Sequence, residues 1–249
     1  MDGAPLARVV LLGGFAVELD GTESGSTLAD LPHGVRRLVA YLGLADRPTR
    51  AAVAGHLWPD VPEEHALGSL RSALWRLHKV APGLVEVSGG ALSLARGVRV
   101  DVREFTQWAR CVLDPGTDLG SLASVDRGLP GELLPGWYDE WVLVERERLC
   151  QLRLHALEAW AGKLAAAGRY GEAIQAACAA VQVEPLRESA HRALVRVHLA
   201  QGNVAEAVRA YESFRALLAA DLGVEPTAQI DALVSRFRRS STAHLITTL

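Results

Sequence analysis

The chain is short of the residues that build disulfide frameworks, zinc sites and membrane spans. It has three cysteines among 249 residues, Cys111, Cys150 and Cys178, and no CxxC pair. An odd number of widely spaced cysteines encodes neither a disulfide scaffold nor a zinc knuckle, and it suits a reducing compartment. No apolar run approaches the roughly 18 residues of a membrane span, and Glu18 interrupts the apolar N-terminal segment before any signal-type cleavage site. We therefore expect a cytoplasmic protein without membrane contact.

Catalytic and metal-binding signatures are also missing. The sequence contains no GxxxxGK[ST], GxSxG or HExxH motif, and no GxGxxG after a strand. His191 and His198 lie seven residues apart without a third ligand at a suitable spacing, which favours packed interface histidines over a zinc site. Trp137, Tyr138 and Trp141 cluster before a long helical stretch, where a domain-interface core is the favoured interpretation and a ligand cage the alternative. We expect no enzyme, no cofactor and no metal.

The charge is uneven along the chain although its sum is small. The formal net charge is −3 and 49% of the residues are hydrophobic, a composition that folds and that excludes a chain disordered along its length. Residues 31–100 contain nine Arg or Lys against five Asp or Glu, whereas residues 101–249 contain sixteen against nineteen. A nucleic-acid surface is therefore expected in the first half.

The first hundred residues have the pattern of a winged helix-turn-helix domain. Residues 8–21 form two β-type runs, the second ended by Asp20-Gly21, and residues 84–95 form a hairpin around Gly89-Gly90. Three helical segments lie between them. A short helix at Thr49–Trp58, a loop, a longer helix and a glycine hairpin make the layout of a winged helix.

The longer helix has an apolar stripe and an opposing cationic arc. Leu70, Leu74 and Leu77 mark the stripe, and Asp60 in the preceding loop is expected to cap the helix. Arginine in the arc suits guanine or phosphate, so the arc favours recognition of the major groove; the alternative is a solvated charged face. For Trp75 the alternative to an exposed, partner-binding position is burial against the neighbouring hairpin. The predicted DNA-binding set is Arg50, Arg71, Ser72, Trp75, Arg76, Lys79, Gly89 and Gly90.

The second half is helical in pattern and contains a repeat. Gly168-Arg-Tyr-Gly-Glu-Ala-Ile recurs 34 residues later as Gly202-Asn-Val-Ala-Glu-Ala-Val, which is the tetratricopeptide period. Pro185 follows Gly168 by 17 residues, where such a repeat ends its second helix. We predict a mainly α fold with a small β component: a winged helix over 1–100, a tetratricopeptide-like domain over 101–240 and a tail over 241–249.

Several motifs, in their order and spacing, resemble the Streptomyces antibiotic regulatory protein family, whose members join an OmpR-type winged helix to a bacterial transcriptional activation domain. The motifs are Leu12-Gly13-Gly14-Phe15, Leu57-Trp58-Pro59-Asp60, Leu70-Arg71-Ser72-Ala73-Leu74-Trp75-Arg76-Leu77, Val100-Asp101-Val102, Gly131-Glu132-Leu133-Leu134-Pro135-Gly136-Trp137, Glu184-Pro185-Leu186-Arg187-Glu188 and Leu222-Gly223-Val224-Glu225-Pro226.

The resemblance implies an activator of a biosynthetic gene cluster that makes secondary metabolites such as antibiotics. It implies a homodimer on promoter repeats, with the helix Glu63–Ala81 in the major groove of double-stranded DNA. It also implies that the loop Pro59–Glu64 faces the RNA polymerase holoenzyme, with Asp60, Glu63 and Glu64 as the contacting side chains. The alternative is a tetratricopeptide-type interaction adaptor whose winged helix does not bind DNA.

Overall fold

The chain folds into two units. The computed structural model describes residues 7–19, 26–27, 31–122 and 131–246, so the predicted turn at Asp20-Gly21 lies outside the described residues. The first compact unit comprises Met1–Gln107 and Pro130–Leu149, and the second comprises Trp108–Leu129 and Cys150–Leu249. This division differs from the predicted boundary at residue 100, because residues 130–149 group with the first unit.

The first unit combines a small sheet, three helices and a hairpin. Its strands are β1 (Ala7–Val10), β2 (Ala16–Leu19), β3 (Ser26–Thr27), β4 (Val85–Ser88), β5 (Ala91–Leu94) and β6 (Val98–Val100). Its three leading helices are α1 (His33–Leu44), α2 (Arg50–Leu57) and α3 (Glu63–Val80). The four-stranded sheet has the order β3-β2-β1-β6, in which β1 pairs antiparallel with β2 and parallel with β6.

Local chemistry explains how the helices and the hairpin begin and end. Thr49 precedes α2 and its hydroxyl accepts a hydrogen bond from the backbone N–H of Ala52 at 3.3 Å. The expected cap of α3 by Asp60 is wrong, because Pro62 occupies the N-cap position and no side chain there accepts a capping hydrogen bond. Gly89 and Gly90 have φ values of 59° and 80°, as the tight hairpin turn between β4 and β5 requires.

A segment from the middle of the chain completes the first unit. The N–H of Gly13 donates to the carbonyl of Glu132 at 2.8 Å, and the N–H of Leu134 donates to the carbonyl of Leu11 at 2.8 Å. Leu134 is fully buried. These backbone bonds and the burial of this leucine explain why residues 130–149 belong with the winged helix.

The strand β6 was not predicted, and it leads directly into α4 (Asp101–Leu113). The Asp101 carboxylate accepts hydrogen bonds from the backbone N–H groups of Leu11, Leu12 and Val102 at 2.7–3.0 Å. Burial raises the pKa of Asp101, while these amides act in the opposite direction. Asp101 thus joins the end of β1 to the start of α4.

The second unit is helical, as the 34-residue period predicts. After α5 (Leu119–Leu122) its helices are the latter part of α6 (Glu140–Ala166), α7 (Tyr170–Val183), α8 (Glu188–Gln201), α9 (Val204–Asp221) and α10 (Ala228–Ile246). Gly168 and Gly202 have φ values of 75° and 87° and end α6 and α8 in equivalent left-handed turns. The predicted fold class is confirmed, but α10 continues past residue 241, where a tail was expected.

Apolar cores and a polar network hold the described repeats together. Small residues such as Ala173, Ala177 and Ala180 fill the α6–α7–α8 core, and Phe214 lies at the centre of the core that includes α9 and α10. Arg187, in the turn before α8, donates to the carboxylate of Glu158 at 2.8 Å. The Glu184–Glu188 motif therefore has a structural role between helices.

Candidate nucleic-acid interface

Three of the predicted DNA-binding cations lie on the exposed face of α3. Ala66, Leu70, Ala73 and Leu77 are buried, whereas Arg71, Arg76 and Lys79 are exposed on the other side of the helix. Within the described part of the chain, no carboxylate forms an ion pair with these three side chains. They are therefore available to an anionic partner. Leu74, expected on the buried stripe, is only half-buried.

Trp75 lies on the same exposed face. It is 60% exposed, so the alternative interpretation, burial against the hairpin, is wrong. The Lys79 ammonium lies 4.3 Å from the centroid of the Trp75 ring, which is cation–π geometry. The two side chains form one surface feature of α3.

Ser72 is exposed, and its hydroxyl donates to the carbonyl of Gly68 one turn earlier at 3.1 Å. This back-bond uses the hydroxyl proton and leaves its oxygen as an acceptor. In this conformation Ser72 can accept a hydrogen bond from a base amino group but cannot donate to a phosphate.

An open groove of about 550 Å³ runs beside this face. Arg71 and Arg76 of α3 line it together with Gly34 at the start of α1 and Trp58 at the end of α2. Glu64 and its neighbour His65 also line it. The groove places the guanidinium groups beside a shallow concavity rather than on a flat surface.

The segment before α2 lies against the hairpin. The N–H of Leu92 donates to the carbonyl of Pro48 at 2.8 Å, and Thr49 bridges to Ala91. Arg50, the first residue of α2, is half-buried next to this junction. Arg47, which sequence reasoning missed, is exposed there with a φ of 48°; its position in an Arg-Pro-Thr turn before a helix cap was the available signal.

The loop before α3 and the first turn of α3 together form an acidic loop region. Asp60, Glu63 and Glu64 are exposed, and Val61 between them is 42% exposed. Among the described residues none of the three carboxylates forms an ion pair. An exposed apolar side chain with unpaired carboxylates near it in the sequence suits a protein partner, and the carboxylates repel a phosphate backbone.

The aromatic cluster divides by exposure. Trp137 stacks on Phe15 with ring centroids 5.8 Å apart, and Arg36 lies over the Trp137 ring at 5.5 Å. Trp141 meets Tyr41 edge-on at 5.5 Å, whereas Tyr138 is 80% exposed. Trp137 and Trp141 therefore pack within the first unit, and Tyr138 does not join them in a cage.

His191 of the second unit is a packing residue. His191 is buried, stacks on Phe214 with centroids 4.1 Å apart and hydrogen-bonds to the carbonyl of Pro185 at 2.8 Å. Burial lowers the pKa of His191. No group of three potential metal ligands occurs among the residues that the structure describes. None of the described helices has both the length and the apolar character to cross a membrane.

Comparison with known protein families gives a match in the second half of the chain. Residues 123–238 match the bacterial transcriptional activator domain family. The regulatory protein AfsR of Streptomyces coelicolor is 33% identical over 234 residues, which cover 88% of this chain and 23% of AfsR. AfsR of Streptomyces griseus is 30% identical over 209 residues, 78% of this chain and 21% of that protein. The chain belongs to the antibiotic regulatory protein family of bacterial transcriptional regulators.

The resemblance drawn from the motifs is thus confirmed, and the family is one of transcriptional regulators rather than enzymes. The chain spans less than a quarter of the length of these two relatives. A solved structure of Mycobacterium tuberculosis EmbR in complex with a low-affinity phosphopeptide matches it with a TM-score of 0.71 at 21% identity. That match covers 95% of this chain and 66% of EmbR and supports the fold alone.

Proposed function

We propose that this regulator is a sequence-specific DNA-binding activator that places α3 in the major groove of promoter repeats in the bacterial cytoplasm. The observation that supports this most directly is the exposed face of α3. Arg71, Arg76 and Lys79 lie opposite the buried stripe, and no carboxylate of the described residues forms an ion pair with them. Phosphate neutralisation by such side chains is a main source of DNA affinity.

The remaining contacts follow from the elements around α3. Arg47 and Arg50 lie before and at the start of α2, and Gly89 and Gly90 present backbone N–H groups at the hairpin turn. These groups suit phosphates, because they carry positive charge or donors without sequence information. Arg71 and Arg76 are the proposed base-contacting residues, and Lys79 is a proposed phosphate contact.

Activation would come from protein contacts. The acidic loop with Asp60, Glu63 and Glu64 faces RNA polymerase in this proposal, because its carboxylates are exposed and unpaired in the described chain. The helical repeats of the second unit offer an extended surface for polymerase or for a second protomer on adjacent DNA repeats. The regulated genes are proposed to form a secondary-metabolite cluster.

The test uses the full chain and duplexes that it selects from a random-sequence library. Arg71→Ala and Arg76→Ala should each lower affinity by about 1–3 kcal/mol and relax preference at one position. Lys79→Ala should weaken all duplexes alike. Arg209→Ala in the second unit is the control, because Arg209 is 71% exposed and far from α3 in sequence.

Salt dependence provides an independent measurement. If each protomer neutralises about three phosphates, a dimer should give a log–log slope of binding constant against salt of roughly −5. A slope near zero would exclude electrostatic DNA recognition.

A protein-interaction adaptor is the second candidate, favoured by the tetratricopeptide-like helical hairpins of the second unit. In that case the full chain would select no duplex from the library, and the Arg71→Ala and Arg76→Ala variants would not differ from the parent. The experiment must use the full chain, because a fragment ending at residue 100 lacks residues 130–149 of the first unit.

A further inference from the structure

The chemistry of Trp75 adds a specific base contact to the proposed function, on which this inference rests. At about 100° per residue, Trp75 lies between Arg71 and Arg76 around α3 and roughly opposite Leu77. A single exposed aromatic is ordinary on a protein surface. Trp75 differs because it occupies the middle of the cationic arc, so a DNA groove that receives this face must also receive the indole.

The indole is already oriented. Lys79 comes one turn after Trp75, and its ammonium lies 4.3 Å from the ring centroid. This contact covers one face of the ring and leaves the edge and the other face exposed, in agreement with the 60% exposure of Trp75. A ring held in this way loses less rotamer freedom on binding than a free one.

The major groove offers one apolar partner for such a ring. Base edges there present hydrogen-bond donors and acceptors, and thymine alone adds a 5-methyl group. The flanking Arg71 and Arg76 are free to bind phosphate or guanine, so the charge of this face suits duplex DNA rather than an apolar protein surface. We propose that Trp75 contacts the 5-methyl group of a thymine in the major groove, and that Lys79 positions the indole for this contact.

Replacement of thymine by deoxyuridine tests the contact, because it removes only the methyl group. The probes are duplexes selected by the full chain, with each thymine replaced in turn by deoxyuridine. Burying one methylene-sized group is worth about 0.8 kcal/mol, which corresponds to about a fourfold change in affinity. We expect this loss at one thymine of each half-site with the parent chain. Trp75→Ala should bind the thymine and deoxyuridine duplexes equally.

The control variants separate this contact from DNA binding itself. Arg209→Ala should keep the fourfold difference, and Lys79→Met should reduce it because the ring loses its cation. If the parent binds the selected duplexes but no deoxyuridine position matters, or if Trp75→Ala shows the same difference as the parent, the inference is wrong and the proposed DNA binding stands. If the full chain selects no duplex at all, the proposed function itself fails.

Discussion

Arg146 should be decisive for the stability of the first unit. Its guanidinium donates to the carbonyls of Leu133, Leu134 and Trp137 at 2.8–3.0 Å. It also forms an ion pair with Glu132 at 2.9 Å, and its side chain is 20% exposed. Arg146→Met removes these donors and retains most of the aliphatic stem, so its effect isolates the polar contacts.

The size of the effect follows from what the carbonyls lose. A hydrogen bond to a charged group contributes about 1.5–3 kcal/mol, and a buried acceptor left without a donor pays its desolvation cost. The three bonds share one guanidinium and are not additive. We therefore expect Arg146→Met to destabilise the segment from Glu132 to Trp137 by about 3–5 kcal/mol.

Hydrogen exchange measured by mass spectrometry on the full chain gives the local readout. The backbone hydrogen bonds donated by Gly13 and by Leu134 hold this segment against residues 11–13. A loss of about 3 kcal/mol in the local free energy of opening speeds the exchange of these two N–H groups by about a hundredfold. The control is Arg148→Met, because Arg148 is 50% exposed and its ion pair among the described residues is with nearby Glu145, a contact worth at most about 1 kcal/mol. Equal exchange in the Arg146→Met variant and the parent would refute the reasoning.

Four further substitutions test the packing and the pH dependence of stability. Gly131→Ala should destabilise the protein by about 1–3 kcal/mol, since the new Cβ would lie 2.6 Å from the Cα of Gly13. Gly162→Ala, in the middle of α6 where a Cβ would meet no other atom within 4 Å, should stabilise it by about 0.5–1 kcal/mol. Thermal melts of the two variants and the parent compare these effects. Leu70→Ala should cost about 2–5 kcal/mol in the same melts, and a cost under 1 kcal/mol would contradict its burial. Burial holds the pKa of His191 below 6.5 in the folded chain, so on acidification the unfolded chain binds this proton at a higher pH than the folded chain does. The free energy of unfolding should therefore fall as pH drops below 6.5, by up to about 1.4 kcal/mol per pH unit. A His191→Gln variant with the same pH slope as the parent would exclude this origin.

The exposed face of α3 could be predicted because helical periodicity is local. Residues three and four apart share a face whatever the rest of the chain does, so Leu70 and Leu77 fell inside and Arg71 and Arg76 outside. The edge of the buried stripe was predicted less accurately, because Leu74 was expected to be buried and is half-buried. The angle of a residue on the helix does not specify which neighbours cover it.

Non-local pairing explains what the sequence did not predict. Val98–Val100 is a three-residue strand, too short to distinguish from a linker by alternation. It forms because β1 offers it a parallel edge and Asp101 then anchors the backbone of Leu11 and Leu12. Neither partner can be recognised from residues near 98–100.

The contact between Gly13 and Gly131 shows why two distant motifs belong together. Gly13 stands in the Leu12–Phe15 motif and Gly131 opens the Gly131–Trp137 motif, and a side chain on Gly131 would collide with the backbone of Gly13. Small residues at both positions allow the backbone bond from Gly13 to Glu132. A motif that sequence analysis assigned to the activation domain therefore supports the fold of the first unit, for which we propose DNA binding. Substitutions there should be tested for DNA affinity as well as for activation, because they act through the unit that holds α3.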